Sequence, residues 1–75
     1  MSARVYNNSV IGQKTQIEDK CEVSDSVIGE SCTFGKNVKI ENSIIEKNVI
    51  IESDCVISNA IIQSGSYVKS GSTIS

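Results

Sequence analysis

The stretch that decides the fold is residues 23–46, which read V-S-D-S-V-I-G-E-S-C-T-F-G-K-N-V-K-I-E-N-S-I-I-E. Its first seven residues, V-S-D-S-V-I-G, return seventeen positions later as I-E-N-S-I-I-E (40–46). The same pattern stands one step earlier as Y-N-N-S-V-I-G (6–12) and one step later as I-S-N-A-I-I-Q (57–63). Repetition at a constant period indicates a repeat architecture, in which each unit stacks on the next.

Large side chains recur within each unit at intervals of six, six and five, and they form three columns. The first column is Ile11, Ile28, Ile45 and Ile62. The second is Ile17, Phe34, Ile51 and Val68, and the third is Tyr6, Val23, Ile40, Ile57 and Ile74. A smaller residue lies two positions before almost every large one. Because residues i and i+2 of a strand point to the same side, each short strand sends one small and one large side chain inward and the residue between them outward.

The composition favours strands. Of the 29 apolar residues, 20 are Ile or Val, and Leu is absent. β-branched side chains are stiff and suit strands, and the spacing of six, six and five does not follow a helical stripe. Few of the turns carry the Asn-Gly or Asp-Gly pair typical of hairpins. The sequence therefore predicts an all-β coil with three short strands per turn, whose ladders repeat about every 4.8 Å.

The residues between the predicted strands suit sharp corners. Asparagine, aspartate and glycine tolerate a left-handed backbone, and they stand at several of these positions. They are Asn37, Asn48, Asp54, Gly65 and Gly71, with Asn8, Asp25, Asn42 and Asn59 in the shorter five-residue step. The corners therefore support a coil with three sides.

Three segments carry a resemblance to the hexapeptide repeat of left-handed parallel β-helices. They are N-S-V-I-G-Q-K-T-Q-I (8–17), D-S-V-I-G-E-S-C (25–32) and C-V-I-S-N-A-I-I (55–62). The left hand comes from this resemblance, because parallel crossovers in general are right-handed. It implies a single-stranded left-handed parallel β-helix of about four coils over residues 6–75, preceded by a frayed N-terminal lead-in, residues 1–5.

The same segments resemble the C-terminal β-helices of nucleotidyltransferase-like proteins. Among these proteins, the segments most resemble the gamma subunit of eukaryotic translation initiation factor 2B, a guanine-nucleotide exchange factor. The resemblance implies a C-terminal fragment of a longer cytosolic protein, acting as a non-catalytic assembly module that helps pair gamma with the epsilon subunit. The epsilon paralogue, the regulatory or oligomerisation domain of a sugar-nucleotide pyrophosphorylase, and a fragment of a hexapeptide acyltransferase stay open as alternatives.

The sequence predicts no catalytic, cofactor-binding or metal-binding residue. Histidine is absent, so no Ser-His or Cys-His pair can form within the chain, and the histidine used by hexapeptide acyltransferases is missing. Residues 12–15, G-Q-K-T, are similar to the end of a phosphate-binding loop. However, Asn7 stands where the first glycine of that motif would be. We therefore expect that the chain is not an enzyme and holds no cofactor.

Charge and hydropathy restrict the class of partner. The net charge is -2, which argues against a cationic nucleic-acid surface. No apolar run approaches the eighteen residues that a membrane span needs. Cys21, Cys32 and Cys55 lack C-x-x-C spacing and occupy small inward slots, where cysteine acts as a small apolar side chain. We expect protein partners, with no direct nucleic-acid contact and no membrane contact.

The outward residues of one side are apolar in every coil. They are Val10, Val27, Ile44 and Ile61, which we call the apolar ladder. Ile50, Tyr67 and Val56, on the other two sides, are predicted to extend it toward the C-terminal end. Single apolar residues on exposed strands are ordinary, but contiguous exposed apolar residues usually mark a contact site. The sequence therefore predicts an interface here, for a neighbouring domain, a partner subunit or a second copy of the chain.

Overall fold

The structure, a computed structural model, describes residues 5–75, with side chains from residue 6 onward. This part of the chain contains thirteen strands of two or three residues and no helix. In chain order the strands are β1 (Val5–Asn7), β2 (Val10–Ile11), β3 (Gln16–Ile17), β4 (Glu22–Ser24), β5 (Val27–Ile28), β6 (Thr33–Phe34), β7 (Lys39–Glu41), β8 (Ile44–Ile45), β9 (Ile50–Ile51), β10 (Val56–Ser58), β11 (Ile61–Ile62), β12 (Tyr67–Val68) and β13 (Thr73–Ile74).

The strands form three sheets, one for each side of the coil. The first sheet has the order β1-β4-β7-β10-β13, the second β2-β5-β8-β11, and the third β3-β6-β9-β12. Every pair is parallel and joins residues seventeen positions apart, as between Val23 and Ile40 in the first sheet and between Phe34 and Ile51 in the third. The predicted all-β solenoid, with three short strands per coil, a seventeen-residue repeat and about four coils, is confirmed.

The core is the stack of inward side chains from all three sheets. Phe34 and Ile40 are completely buried, and Ile28, Ile45 and Ile51 are each 1 % exposed. The ends of the stack are less covered, because an end coil lacks one neighbour. Thus Tyr6, which belongs to an inward column and pairs with Val23, stays 43 % exposed. The lead-in predicted for residues 1–5 lies outside the described residues, apart from Val5, whose backbone opens β1.

The three cysteines lie inward, as the repeat predicts, and all three thiols are fully buried. Each Sγ donates a hydrogen bond to a backbone carbonyl in the next coil. The acceptors are Gly35 for Cys21, Glu46 for Cys32 and Lys69 for Cys55, at 3.0, 3.1 and 3.0 Å. The thiols therefore help to join successive coils as well as to fill the core.

Each corner has one residue with a positive φ, between 50° and 79°. They are Asn8, Lys14, Lys20, Asp25, Ser31, Asn37, Asn42, Asn48, Asp54, Asn59, Gly65 and Gly71. Lys14, Lys20 and Ser31 were not predicted, because their residue types do not favour this conformation. The cost is offset by backbone bonds between coils; the N–H of Ser31, for example, donates to the carbonyl of Gln13 at 2.9 Å. The seventeen-residue spacing alone would have located all three.

A buried serine column closes the shortest corner. The Ser43 hydroxyl donates to the carbonyl of Glu41 at 2.7 Å and accepts the N–H of Ala60 at 3.2 Å. Ser26 repeats the arrangement one coil earlier, donating to Ser24 and accepting from Ser43. Each hydroxyl therefore joins its own coil to the next one.

Truncating the core should be far more damaging than truncating its outward neighbour. Ile51 is 1 % exposed, whereas Ile50 on the same strand is 45 % exposed. We expect Ile51→Ala to lower the free energy of unfolding by about 2–5 kcal/mol, as for buried aliphatic side chains generally. Ile50→Ala should change it by less than about 1 kcal/mol. Urea melts of both variants test this, and equal midpoints would contradict the inward assignment.

The serine column gives a second stability prediction. Ser43→Ala removes the acceptor of the partly buried N–H of Ala60, so we expect a loss of about 1–3 kcal/mol in the free energy of unfolding. Ser58→Ala, on the outer side of β10, is the matched control and should stay within about 0.5 kcal/mol of the wild type. Thermal melts followed by circular dichroism would show the difference. A Ser43→Ala midpoint equal to that of Ser58→Ala would mean that the column contributes nothing.

Candidate functional site: the apolar side of the coil

The apolar ladder is continuous in the structure. Val10 pairs with Val27, Val27 with Ile44, and Ile44 with Ile61, one residue from each strand of the second sheet. Their exposed fractions are 63, 48, 46 and 66 %. With a strand spacing of about 4.8 Å, the four side chains extend over roughly 14 Å. The predicted outward orientation of all four residues is correct, and they share one side of the coil.

The three predicted extensions do not share that side. Ile50 and Tyr67 pair with each other on the third sheet and are exposed. Val56 lies on the first sheet, between Lys39 and Thr73. Because each sheet is a separate side of the coil, these residues form a small second patch and a single exposed valine rather than an extension of the apolar ladder.

Asparagine and aspartate side chains line one edge of the apolar ladder. This edge is the corner that precedes the second sheet, and it carries Asn8, Asp25, Asn42 and Asn59. The amide of Asn8 donates to the carboxylate of Asp25 at 3.3 Å, and that of Asn42 donates to Asn59 at 2.7 Å. The edge is therefore polar and holds one formal charge, on Asp25.

The other edge is the corner that follows the second sheet. Its first half is low, because glycines stand there in the first two coils, and its second half is high, because longer side chains stand there in the last two. A Cβ on Gly12 would lie 2.5 Å from the carbonyl carbon of Gly29, so successive backbones approach closely there. One and two coils beyond Gly29, the same column holds Glu46 and Gln63. The Glu46 carboxylate accepts hydrogen bonds from the N–H and hydroxyl of Ser64, at 3.1 and 3.2 Å. Its side chain is thereby held toward the last coil.

Charges of both signs also follow this second edge. Lys14 lies in the first coil, Glu30 in the second, and Glu46 and Lys47 in the third, and all four are exposed. The sequence analysis gave these residues no role at the interface, because it considered the corners for their backbone conformation and not for their charge. Their spacing of sixteen or seventeen positions is the signal that would have aligned them.

The third sheet carries a polar contact beside a shallow depression. The depression has a volume of about 370 Å³ and is lined by Thr33, Gly35, Ile50, Ile51, Glu52, Ser53 and Ser70. The Tyr67 hydroxyl donates to the Glu52 carboxylate, and the N–H of Ser70 donates to the same group at 3.0 Å. These two bonds, with a smaller effect of the Lys69 charge, lower the pKa of Glu52, and the bond to the carboxylate raises the pKa of Tyr67.

The lowered pKa of Glu52 predicts an acid-dependent contribution to stability. A depressed carboxyl pKa stabilises the fold above the unfolded value, here 4.5, and this contribution is lost as the pH falls through the folded pKa. The Glu52 carboxyl, followed by NMR, should therefore titrate below 4.5 in the wild type. In Tyr67→Phe, which removes the strongest cause, the pKa should rise toward that value. An unchanged titration in Tyr67→Phe would show that the hydroxyl does not act on the carboxylate.

Comparison with known proteins places the solenoid in a family. Within residues 5–75, no helix is long and apolar enough to cross a membrane. No curated protein matches the chain. A family model described as "EIF2B subunit epsilon LbH domain", where LbH denotes the left-handed β-helix, matches residues 1–75. This supports the resemblance to translation initiation factor 2B, and the description names epsilon, which the sequence resemblance put after gamma. The chain belongs to the family of left-handed β-helix domains of the epsilon subunit of translation initiation factor 2B.

Proposed function

We propose that the domain is a non-catalytic assembly module of the translation initiation guanine-nucleotide exchange factor, working in the cytosol. In this role it helps to pair the gamma and epsilon subunits, and the apolar ladder is its contact surface. The family match supports a role in this factor. Because the matching model describes epsilon, the chain would supply the epsilon side of the pair, and the gamma subunit would be its partner.

The observation that carries this proposal is the exposure of the whole apolar ladder on a rigid side of the coil. Its members are β-branched, so their χ1 angles are already restricted before binding. Ile28 and Ile45, the inward neighbours of Val27 and Ile44, are buried, which holds the strands in place. Binding to such a surface costs little side-chain entropy, and burial of its apolar area favours association.

The chemistry of the chain supports a non-catalytic role. Its strongest nucleophiles are the thiols of Cys21, Cys32 and Cys55, and all three are buried and hydrogen-bonded to backbone carbonyls. The sequence has no histidine to act as a base near neutral pH. We therefore propose that the domain performs no covalent catalysis, and from the family resemblance we assign nucleotide exchange to another part of the factor.

The proposal predicts different effects of one substitution on two sides of the coil. Ile44→Lys should weaken binding of the tagged chain to the recombinant gamma subunit by at least about tenfold, because a lysine charge would be buried against the partner. The control is Val56→Lys, because Val56 is an apolar residue of similar exposure on the first sheet. This substitution should leave binding unchanged. Biolayer interferometry gives the affinities. Both variants should keep thermal midpoints near the wild type, since the side chains face outward.

Two results would overturn the proposal. If the folded wild-type chain does not bind the gamma subunit, the pairing role is wrong. If the wild type binds and folded Ile44→Lys binds equally well, the apolar ladder is not the surface used for pairing. A greater loss in Val56→Lys than in Ile44→Lys would transfer the interface to the first sheet.

A further inference from the structure

We propose that the apolar ladder also binds a second copy of this chain, in an antiparallel two-fold dimer. The two-fold axis lies in the interface and runs at right angles to the axis of the coil. This inference rests on the proposed function in one respect, because it uses the same side of the coil as the contact surface. It goes beyond that function by specifying a self-complementary partner and its orientation.

The apolar ladder is complementary to itself when one copy is reversed. In the antiparallel arrangement, Val10 faces Ile61 of the second copy, and Val27 faces Ile44 of the second copy. Every contact is therefore between a smaller and a larger aliphatic side chain, which keeps the distance between the two coils constant along the interface. In the parallel arrangement the two smaller residues of each copy meet at one end and the two larger residues at the other.

The second edge of the apolar ladder has the same small-to-large complementarity. When one copy is reversed, Gly12 lies opposite Gln63 of the second copy, and Gly29 lies opposite Glu46 of the second copy. The low half of the edge, where the coils approach so closely that a Cβ at Gly12 or Gly29 would clash, therefore receives the high half of the other copy. The apolar ladders can approach each other without interference from this edge.

The charges along the edges favour the same orientation. In the antiparallel dimer, Glu30 lies level with Lys47 of the second copy, and the two-fold axis repeats this pair. Glu46, held toward the last coil by Ser64, extends toward Lys14 of the second copy. In the parallel dimer the second edge faces the asparagine edge, which puts Glu30 level with Asp25 of the other copy, twice. Glu46 of the second copy is also near the level of Glu30, but the bonds to Ser64 hold its carboxylate toward the last coil and away from Glu30. The antiparallel orientation therefore places Glu30 closest to an opposite charge, whereas the parallel orientation places it level with a like charge.

The size of this side predicts a weak dimer. Four aliphatic side chains over roughly 14 Å cover much less than the ~800 Å² per copy of a standard stable interface. An interface of this size is typical of transient contacts, so the expected dissociation constant lies between about 1 μM and 1 mM. Association should therefore be visible at high protein concentration and weak at low concentration.

Sedimentation equilibrium of the full 75-residue chain tests the dimer. Between about 10 μM and 2 mM, the average mass should rise from that of the monomer toward twice that value. Glu30→Lys and Lys47→Glu each replace two attractive pairs by two repulsive ones, so each should weaken dimerisation by about tenfold. A wild-type chain that stays monomeric over this range would overturn the proposal.

Mixing the two variants separates an effect between copies from one within a copy, because Glu30 and Lys47 are also neighbours in successive coils. An equimolar mixture of Glu30→Lys with Lys47→Glu restores both attractive pairs, but only between different chains. The mixture should therefore dimerise about tenfold more tightly than either variant alone. No rescue would overturn the antiparallel arrangement. Tighter self-association of Glu30→Lys alone would indicate the parallel arrangement, because the new lysine would face Asp25.

The outcome is distinguishable from that of the pairing test. If the chain binds the gamma subunit through Ile44 but remains monomeric at about 2 mM, the proposed function holds and the dimer inference is wrong. If the chain dimerises with the predicted charge dependence but does not bind the gamma subunit, the dimer inference holds and the proposed pairing role is wrong.

Discussion

The fold depends on backbone hydrogen bonds between coils of equal length. The N–H of Val27 donates to the carbonyl of Ser43 at 3.1 Å, and that of Gly29 donates to Ile45 at 2.7 Å, so each strand is held by a strand about one coil away. These bonds align only if every coil has seventeen residues. The core columns, the corner residues and the exposed ladders all repeat at that period, because they follow the same alignment of backbones.

Much of the fold could therefore be predicted from the sequence. Large side chains that recur at intervals of six, six and five identified the three inward columns. The residue between two inward positions of a strand had to point outward. Val27 and Ile44 were placed correctly by this reasoning, as were the buried thiols of Cys32 and Cys55. The hand of the coil was the exception, since residue spacing is the same for either hand and only resemblance to a family indicates it.

The features that the sequence analysis missed have three different physical causes. Ile50 and Val56 were correctly assigned to the other two sides of the coil, but only the structure shows that a corner separates their side chains from the apolar ladder. Lys14 and Lys20 have positive φ because their coil requires a corner there, not because of their own preference. The contact between Tyr67 and Glu52 joins residues fifteen positions apart, a spacing outside the seventeen-residue columns.

The buried thiols have a consequence for how the opening of the coil can be observed. Cys21, Cys32 and Cys55 belong to three different coils, and each is fully buried in the core. A thiol reagent can reach one of them only when that coil separates from the next, so the rate of modification measures the free energy of that separation. The chain thus contains a natural reporter in each of three coils, which can show whether fraying begins at one end, at both ends or cooperatively throughout.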